Sequence, residues 1–245
     1  MSAAGAADRR PPPPARLRGA DETLNEVRLV AADGLLYRMY KDGPVYDLLR
    51  STRLRLQARG WKGQRTATKV PRLIKERTVA EYARRFSPRV FVETGTFRGD
   101  MLFSNRRRFD RLYSVELDPA LYQAAVRRFA RHPQVSLRHG DSGQMLPAIL
   151  AELAEPALFW LDAHYSGGVT ARGAIDTPIV QEMERIFTHP VRGHVVLVDD
   201  AHEFVGANGY PTMDEFEAYV KERRPEWTVE VWNNIIRMHP AAGRP

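Results

Sequence analysis

The chain has 245 residues, 43% hydrophobic and 27% charged, with a formal charge of +7 and no cysteine. That suffices for one globular α/β core with an appendage rather than two full domains, and the lack of cysteine excludes disulfides and thiolate metal sites and fits an intracellular setting. No apolar run is long enough to span a bilayer, and the arginine- and proline-bearing N-terminus carries no apolar signal segment, so a cytoplasmic protein without a membrane span is expected.

The charge is uneven: residues 1–89 hold 20 Lys and Arg against 9 Asp and Glu, whereas residues 90–245 hold 17 against 21. The basic stretch 50–75 is interrupted by Gly60, Gly63 and Pro71 and has Trp61 as its one aromatic, so it reads as a solvated face rather than a nucleic-acid site. Residues 1–20, rich in Ala, Arg and Pro, cannot bury enough apolar surface to order themselves and are expected to form a disordered arm. Over residues 21–60, Leu24, Val27, Val30, Leu35, Leu36, Met39 and Tyr40 recur at helical spacing, broken at Gly34 and Gly43-Pro44, which predicts two or three helices. The segment 21–72 is expected to act as a helical cap or as the dimer surface of a homo-oligomer, with residues 73–240 as the main domain.

From residue 72 the element types alternate. The pattern predicts helix 73–86, strand 89–93, helix 100–107, strand 112–116, helix 119–130, strand 134–139, helix 142–153 and strand 157–162. After a loop containing Ser166-Gly167-Gly168 come helix 178–187, strand 194–199, helix 212–224 and strands 227–232 and 234–238. Such alternation means βαβ units with right-handed crossovers, hence an α/β doubly wound, mostly parallel sheet. The last two strands leave no room for a helix between them, so the final strand is antiparallel to its neighbour.

Residues 89–100, RVFVETGTFRGD, run from the buried-looking strand Val90, Phe91, Val92, closed by Glu93, through a loop bracketed by Gly95 and Gly99 into a helix start. Glycine lets a backbone bend sharply and a ligand approach it, and the first N–H groups of the helix face the same crevice. Phe97 stands where a dinucleotide fingerprint has its middle glycine, which argues against a tight pyrophosphate turn. A plain strand-to-helix turn is the equal alternative.

In a doubly wound sheet, ligands bind outside the carboxyl ends of the strands, and here each of the first five strands ends at an acid: Glu93, Glu116, Asp141, Asp162 and the pair Asp199-Asp200. Helix capping explains one or two of these. Glu116, about 20 residues past the glycine turn, is placed to bond ribose hydroxyls. Asp141 and Ser142 are placed either to reach a base edge or to cap helix 142–153. Asp162 and Asp199-Asp200 fall on strands that should be adjacent, ~4.8 Å apart, where three carboxylates repel one another unless a cation sits among them.

With these residues in place, the chain resembles the class I S-adenosylmethionine-dependent methyltransferases over about residues 73–240, and most of all their magnesium-dependent O-methyltransferases. Glu93-Thr94-Gly95-Thr96-Phe97-Arg98-Gly99 has that group's Glu-x-Gly-x-aromatic-x-Gly form, and Asp162, Asp199 and Asp200 match the metal aspartates of catechol-type members. Macrocin-type members carry Asp-x-Asp after the fourth strand with the second Asp as base, and this chain reads Asp162-Ala163-His164. The resemblance implies a Rossmann-like seven-stranded sheet with a reversed last strand. It implies S-adenosylmethionine (S-adenosyl-L-methionine) held by Glu93, Thr94, Gly95, Thr96, Gly99, Glu116, Asp141, Ser142 and Asp162, and Mg2+ on Asp162, Asp199 and Asp200. The implied reaction is methyl transfer to a hydroxyl of a small-molecule acceptor, whose site the N-terminal helices and the loop 164–177 would shape.

His164 is the first candidate for general base, since a residue two past Asp162 in an extended chain faces the same side. His202, two past Asp200, is its rival, and a loop histidine without chemistry is the alternative for His164. His132, His189 and His239 each precede proline, and His194 begins a strand on the far side from the crevice, so these four read as surface residues; His139 is placed to line the cofactor pocket. Two other function classes stand beside the enzyme: a non-catalytic S-adenosylmethionine-binding module, and an NAD-dependent Rossmann oxidoreductase, which the missing Gly-x-Gly-x-x-Gly and the carboxylate trio disfavour.

Overall fold

The computed structural model describes residues 44–162 and 179–241. The expected disordered arm, the helices expected before residue 44, and the loop carrying His164 and Ser166-Gly167-Gly168 lie outside the described residues. The chain divides into two compact units, Met1–Arg53 and Leu54–Pro245, with the division inside helix α1 (Pro44–Gln57). In the described part of the first unit Tyr46 is buried, while Val45, Leu48 and Leu49 are exposed.

The second unit runs α2 (Arg72–Phe86), β1 (Val90–Thr94), α3 (Asp100–Asn105), β2 (Arg111–Glu116), α4 (Pro119–Phe129), β3 (Val135–His139), α5 (Ser142–Ala151) and β4 (Ala157–Leu161). It continues with α6 (Ile179–Thr188), β5 (Val195–Val198), a 3-10 turn (Ala201–Glu203), α7 (Met213–Arg223), β6 (Trp227–Trp232) and β7 (Ile235–Pro240). The seven strands form one sheet in the order β3-β2-β1-β4-β5-β7-β6, with β7 antiparallel to both β5 and β6. This is the expected doubly wound, Rossmann-like sheet with a reversed last strand. The reversed strand lies inside the sheet, however, and β6 takes the edge.

The strand runs follow from burial. Every residue of β1, β4 and β5 is buried, so VFVET, ALFWL and VVLV have no need to alternate with polar residues. The edge strand β6 does alternate, with Val229 and Val231 packed against the core while Glu230 and Trp232 are exposed. Helix starts follow from caps. Asp118 accepts the N–H groups of Ala120 and Leu121 at 2.8 and 2.9 Å, with Pro119 opening α4, and Thr212 with Glu215 forms a capping box on α7. Helix α3 stops two residues short of expectation, where the Asn105 amide folds back to donate to the Met101 carbonyl at 2.9 Å.

Three histidines expected at the surface are buried: His189, His194 and His239 are 8%, 2% and 1% exposed. Hydrogen bonding explains two of them. His194 Nδ1 accepts the Ala157 N–H at 3.1 Å, which leaves its Nε2 to donate to His189 Nδ1 at 2.9 Å, and His189 Nε2 then donates to the Leu150 carbonyl at 2.9 Å. The ring pair thereby joins α5, β4 and β5 at the end of the sheet opposite the crevice. His239 packs against the rings of Tyr82 and Phe86. His139 is exposed and stacks on Tyr122. Among the described residues no helix is long and apolar enough to cross a membrane.

Candidate functional site

The strand order reverses between β1 and β4, and a cavity of about 300 Å³ opens beyond their carboxyl ends. Its walls include Lys75, Glu93, Thr96, Phe97, Trp160 and Asp162. This is where a doubly wound sheet leaves room for a ligand, because the connections from neighbouring strands depart to opposite faces.

The loop between β1 and α3 takes three left-handed residues in alternation: Gly95, Phe97 and Gly99 have φ of 82°, 49° and 71°. Phe97 thus adopts the glycine-like conformation without being glycine, at a cost of about 1–2 kcal/mol. Its backbone N–H is held by Glu116 Oε2 at 2.6 Å, and Glu116 Oε1 accepts the Asp118 N–H at 2.9 Å. Gly95 and Thr96 donate their N–H groups to the Val115 carbonyl, each at 3.0 Å, which ties the start of the loop to β2. At Gly99 a Cβ atom would lie 2.6 Å from Phe129 Cε2, so any side chain there would push the loop or the ring out of place.

Beneath the loop runs a hydroxyl relay. Ser114 Oγ donates to Glu93 Oε2 at 2.7 Å, which makes Thr96 Oγ1, 2.6 Å away, the donor to Ser114. Burial raises the Glu93 carboxyl well above its usual range, and the Ser114 bond offsets this only in part. Burial also raises Glu116, against the backbone N–H bonds from Asp118 and Phe97 that favour its ionised form. Asp141 caps α5, accepting the Gln144 N–H at 3.3 Å. Behind it, Ser142 and Thr94 flank Glu182 of α6, a carboxyl only 1% exposed that burial pushes up to about 7. Glu182 Oε1 and Thr94 Oγ1 are buried with no hydrogen-bond partner among the described residues.

Parallel register brings the acidic strand ends together. The Asp162 N–H donates to the Thr94 carbonyl at 3.1 Å and the Asp199 N–H to the Leu161 carbonyl at 3.0 Å, so Asp162 and Asp199 lie side by side. One carboxylate oxygen from each of Asp162, Asp199 and Asp200 lies within 4.8 Å of the other two. The expected convergence is present, and the cation among these carboxylates is Lys75. Its Nζ donates to Asp199 Oδ2 and lies 3.9 Å from Asp200 Oδ1. Burial alone would lower the Lys75 pKa, but Asp199, Asp162 and Asp200 together raise it. Asp199 is raised by burial and by Asp162, with Lys75 pulling the other way.

Magnesium suits oxygen ligands of this kind. Yet Asp199 Oδ1 accepts the Asp200 N–H at 2.9 Å and its Oδ2 holds Lys75, so the trio as arranged does not fit a divalent ion without displacing the lysine.

The turn after β5 is organised by Asn234, which sequence reasoning did not single out. Its Oδ1 accepts the His202 N–H at 2.8 Å, which orients its amide so that Nδ2 faces Asp200 Oδ1 at 3.1 Å and His202 Nδ1 at 2.9 Å. His202 therefore accepts at Nδ1 and directs Nε2 to Glu203 Oε1 at 3.1 Å. Asp200 itself sits at φ 54°. The pair Asn233-Asn234, with φ of 52° and 58° between β6 and β7, is the signature of a two-residue hairpin turn and was the available signal. For Lys75 no signal existed. It belongs to the basic stretch 50–75, which reads as a solvated face, and only the fold turns it inward.

Of the residues singled out from the sequence, Glu93, Gly95, Thr96 and Asp162 line the cavity, and Glu116 reaches it through Phe97. Thr94, Gly99, Asp141, Ser142, Asp199, Asp200 and His202 stand behind or beside it, and His164 lies outside the described residues.

No protein-family model and no curated protein matches the chain. Solved structures do match. An O-methyltransferase from Bacillus cereus in complex with SAH has a TM-score of 0.55 at 16% identity, over 92% of this chain and 94% of that one. The O-methyltransferase TomG from Streptomyces achromogenes, in complex with SAM, gives 0.53 at 18% identity, over 69% and 80%. SAH-bound methyltransferase PaMTH1 from Podospora anserina gives 0.52 at 13% identity, over 93% and 99%. At these identities the likeness is one of fold, and the chain has the Rossmann-like fold of the class I S-adenosylmethionine-dependent methyltransferases.

Proposed function

We infer that the chain is an S-adenosylmethionine-dependent methyltransferase acting on a hydroxyl of a small molecule. The observation that carries this reading is the cavity at the strand-order reversal, bordered by a loop with three left-handed residues and by the carboxylates of Glu93 and Asp162. The solved structures of like fold hold SAM or SAH, and two of them are O-methyltransferases, which supports the same donor here.

In this reading the loop from Gly95 to Gly99 passes close to the donor, Glu93 and Thr96 line its amino-acid end with Thr94 behind them, Glu116 accepts from ribose hydroxyls, and Asp141 with Ser142 faces the base. Asp162 stands between donor and acceptor. When bound, S-adenosylmethionine supplies a methyl group on a sulfonium, which passes to the acceptor oxygen as the carbon–sulfur bond breaks with its electron pair on sulfur. The residues of the chain align the acceptor for in-line attack and take the hydroxyl proton, a role we assign to His164 with His202 as its rival. As arranged, the His202 Nδ1 lone pair accepts from Asn234, so His202 would have to leave that bond to take a proton.

A second reading adds a magnesium ion on Asp162, Asp199 and Asp200, favoured by the close approach of their oxygens. It requires Lys75 to leave Asp199.

Titration calorimetry with S-adenosylhomocysteine and with NAD tests the donor, and a screen of hydroxylated metabolites with labelled methyl donor tests the reaction. Binding of S-adenosylhomocysteine with labelled methyl appearing on a hydroxyl is the expected result. Binding without transfer to any acceptor favours a non-catalytic module, and binding of NAD in its place overturns the reading.

A further inference from the structure

Lys75 sits in the first turn of α2, three residues after Arg72, so both side chains leave the same face of the helix. Arg72 pairs with Asp100 at the head of α3, and Lys75 with Asp199 beyond the end of β5. The two cations thus join α2 to the head of α3 and to the end of β5, and both line the cavity wall. The Asp199 side chain has no exposed surface, and both of its oxygens are engaged, one by the Asp200 N–H and one by the lysine. A carboxyl so deeply buried ionises only beside a countercharge, and the ammonium offers one from within the chain.

We propose that the Lys75 ammonium is the resident cation of the Asp162, Asp199 and Asp200 cluster and holds those carboxylates in place without a divalent ion. The inference rests on the methyl-transfer reading of the adjoining cavity for its functional meaning, but the cation assignment stands on geometry alone. A divalent ion bound to Asp199 Oδ2 would meet an ammonium within hydrogen-bond reach of the same oxygen, and the two cations repel. Lys75 is accordingly a positioning residue. It fixes Asp199 directly and Asp200 at 3.9 Å, which leaves Asp162 as the member of the trio on the cavity wall.

The test titrates the full chain with manganese(II), followed by electron paramagnetic resonance, in the parent and in Lys75→Met, with Lys75→Arg as the charge-conserving control. The parent and Lys75→Arg should take up no manganese with a dissociation constant below about 1 mM, whereas Lys75→Met should gain affinity by about tenfold or more. Tight uptake by the parent overturns the proposal, as does a folded Lys75→Met that gains nothing. If Lys75→Met does not fold, the double variant Lys75→Met/Asp199→Asn decides. Its folding shows that an uncompensated buried charge was the fault and supports the proposal, and its failure shows lost packing instead and overturns it. S-adenosylhomocysteine titrated into the same samples keeps the two readings apart, since its failure to bind removes the donor assignment and leaves the manganese result untouched.

Discussion

The Glu116 carboxylate accepts the Phe97 N–H at 2.6 Å while its other oxygen accepts the Asp118 N–H, so one side chain joins the loop after β1 to the turn after β2. The residue therefore shapes the crevice whether or not a ribose is bound. Glu116→Ala leaves two backbone donors without their acceptor, at about 1–3 kcal/mol each where they stay buried. We expect a lower denaturation midpoint together with a roughly ten- to hundredfold loss of S-adenosylhomocysteine affinity. Glu116→Gln, with one oxygen left, should fall between. Calorimetry on an Ala variant that binds as tightly as the parent would remove Glu116 from the donor site.

Gly99 is constrained twice, by its φ of 71° and by Phe129 Cε2 at 2.6 Å from any added Cβ. Phe129 is itself buried, 4% exposed. For Gly99→Ala the left-handed backbone costs about 1–2 kcal/mol and overpacking roughly another 1–3. A urea midpoint shifted by less than the equivalent of about 1 kcal/mol would mean that the loop relaxes away from α4.

Much of this architecture is legible in the sequence, for reasons that differ by element. The strands β1, β4 and β5 are continuous apolar runs because they are covered on both faces, and the acids that follow them mark the crevice because register places strand ends side by side. What escaped depends on distant partners or on conformation that side chain type disguises. Phe97 takes a left-handed φ that sequence rules reserve for glycine, stabilised by an acceptor 19 residues away. Lys75 meets Asp199 across 124 residues, a pairing that no local pattern encodes. His189 and His194 look like loop and strand-start residues, and only the close approach of α5, β4 and β5 shows that each ring nitrogen has a partner.

That histidine pair makes acid stability specific. Burial first, then the neighbouring His189 and Arg192, lowers the His194 pKa from 6.5 to about 4. The unfolded chain therefore takes up this proton at higher pH than the folded one. The stability it confers is fully present above about pH 6.5 and is lost as the pH falls through about 4, roughly 3 kcal/mol in all. Urea unfolding of the parent and of His194→Gln at pH 7.5 and pH 4.5 checks this. The parent should lose more stability over the interval, and equal losses in the two proteins would remove His194 as the cause.

Glu182 titrates with the opposite sense. It projects from α6 toward the hydroxyls of Ser142 and Thr94, 1% exposed, and burial, which those hydroxyls offset only in part and the Asp141 and Asp162 charges reinforce, pushes its carboxyl from 4.5 up to about 7. The unfolded chain gives up this proton near pH 4.5, whereas the folded chain keeps it until near pH 7. The stabilising contribution is therefore fully present below about pH 4.5 and is lost as the pH rises through about 7, again by roughly 3 kcal/mol. Glu182→Gln keeps the size of the side chain and removes the ionisation. Its stability relative to the parent should rise from pH 4.5 to about pH 7 and level off by pH 8.5, read as the difference between urea midpoints at matched pH. If the two curves run parallel across that interval, the folded and unfolded chains ionise Glu182 alike, and burial does not hold its proton.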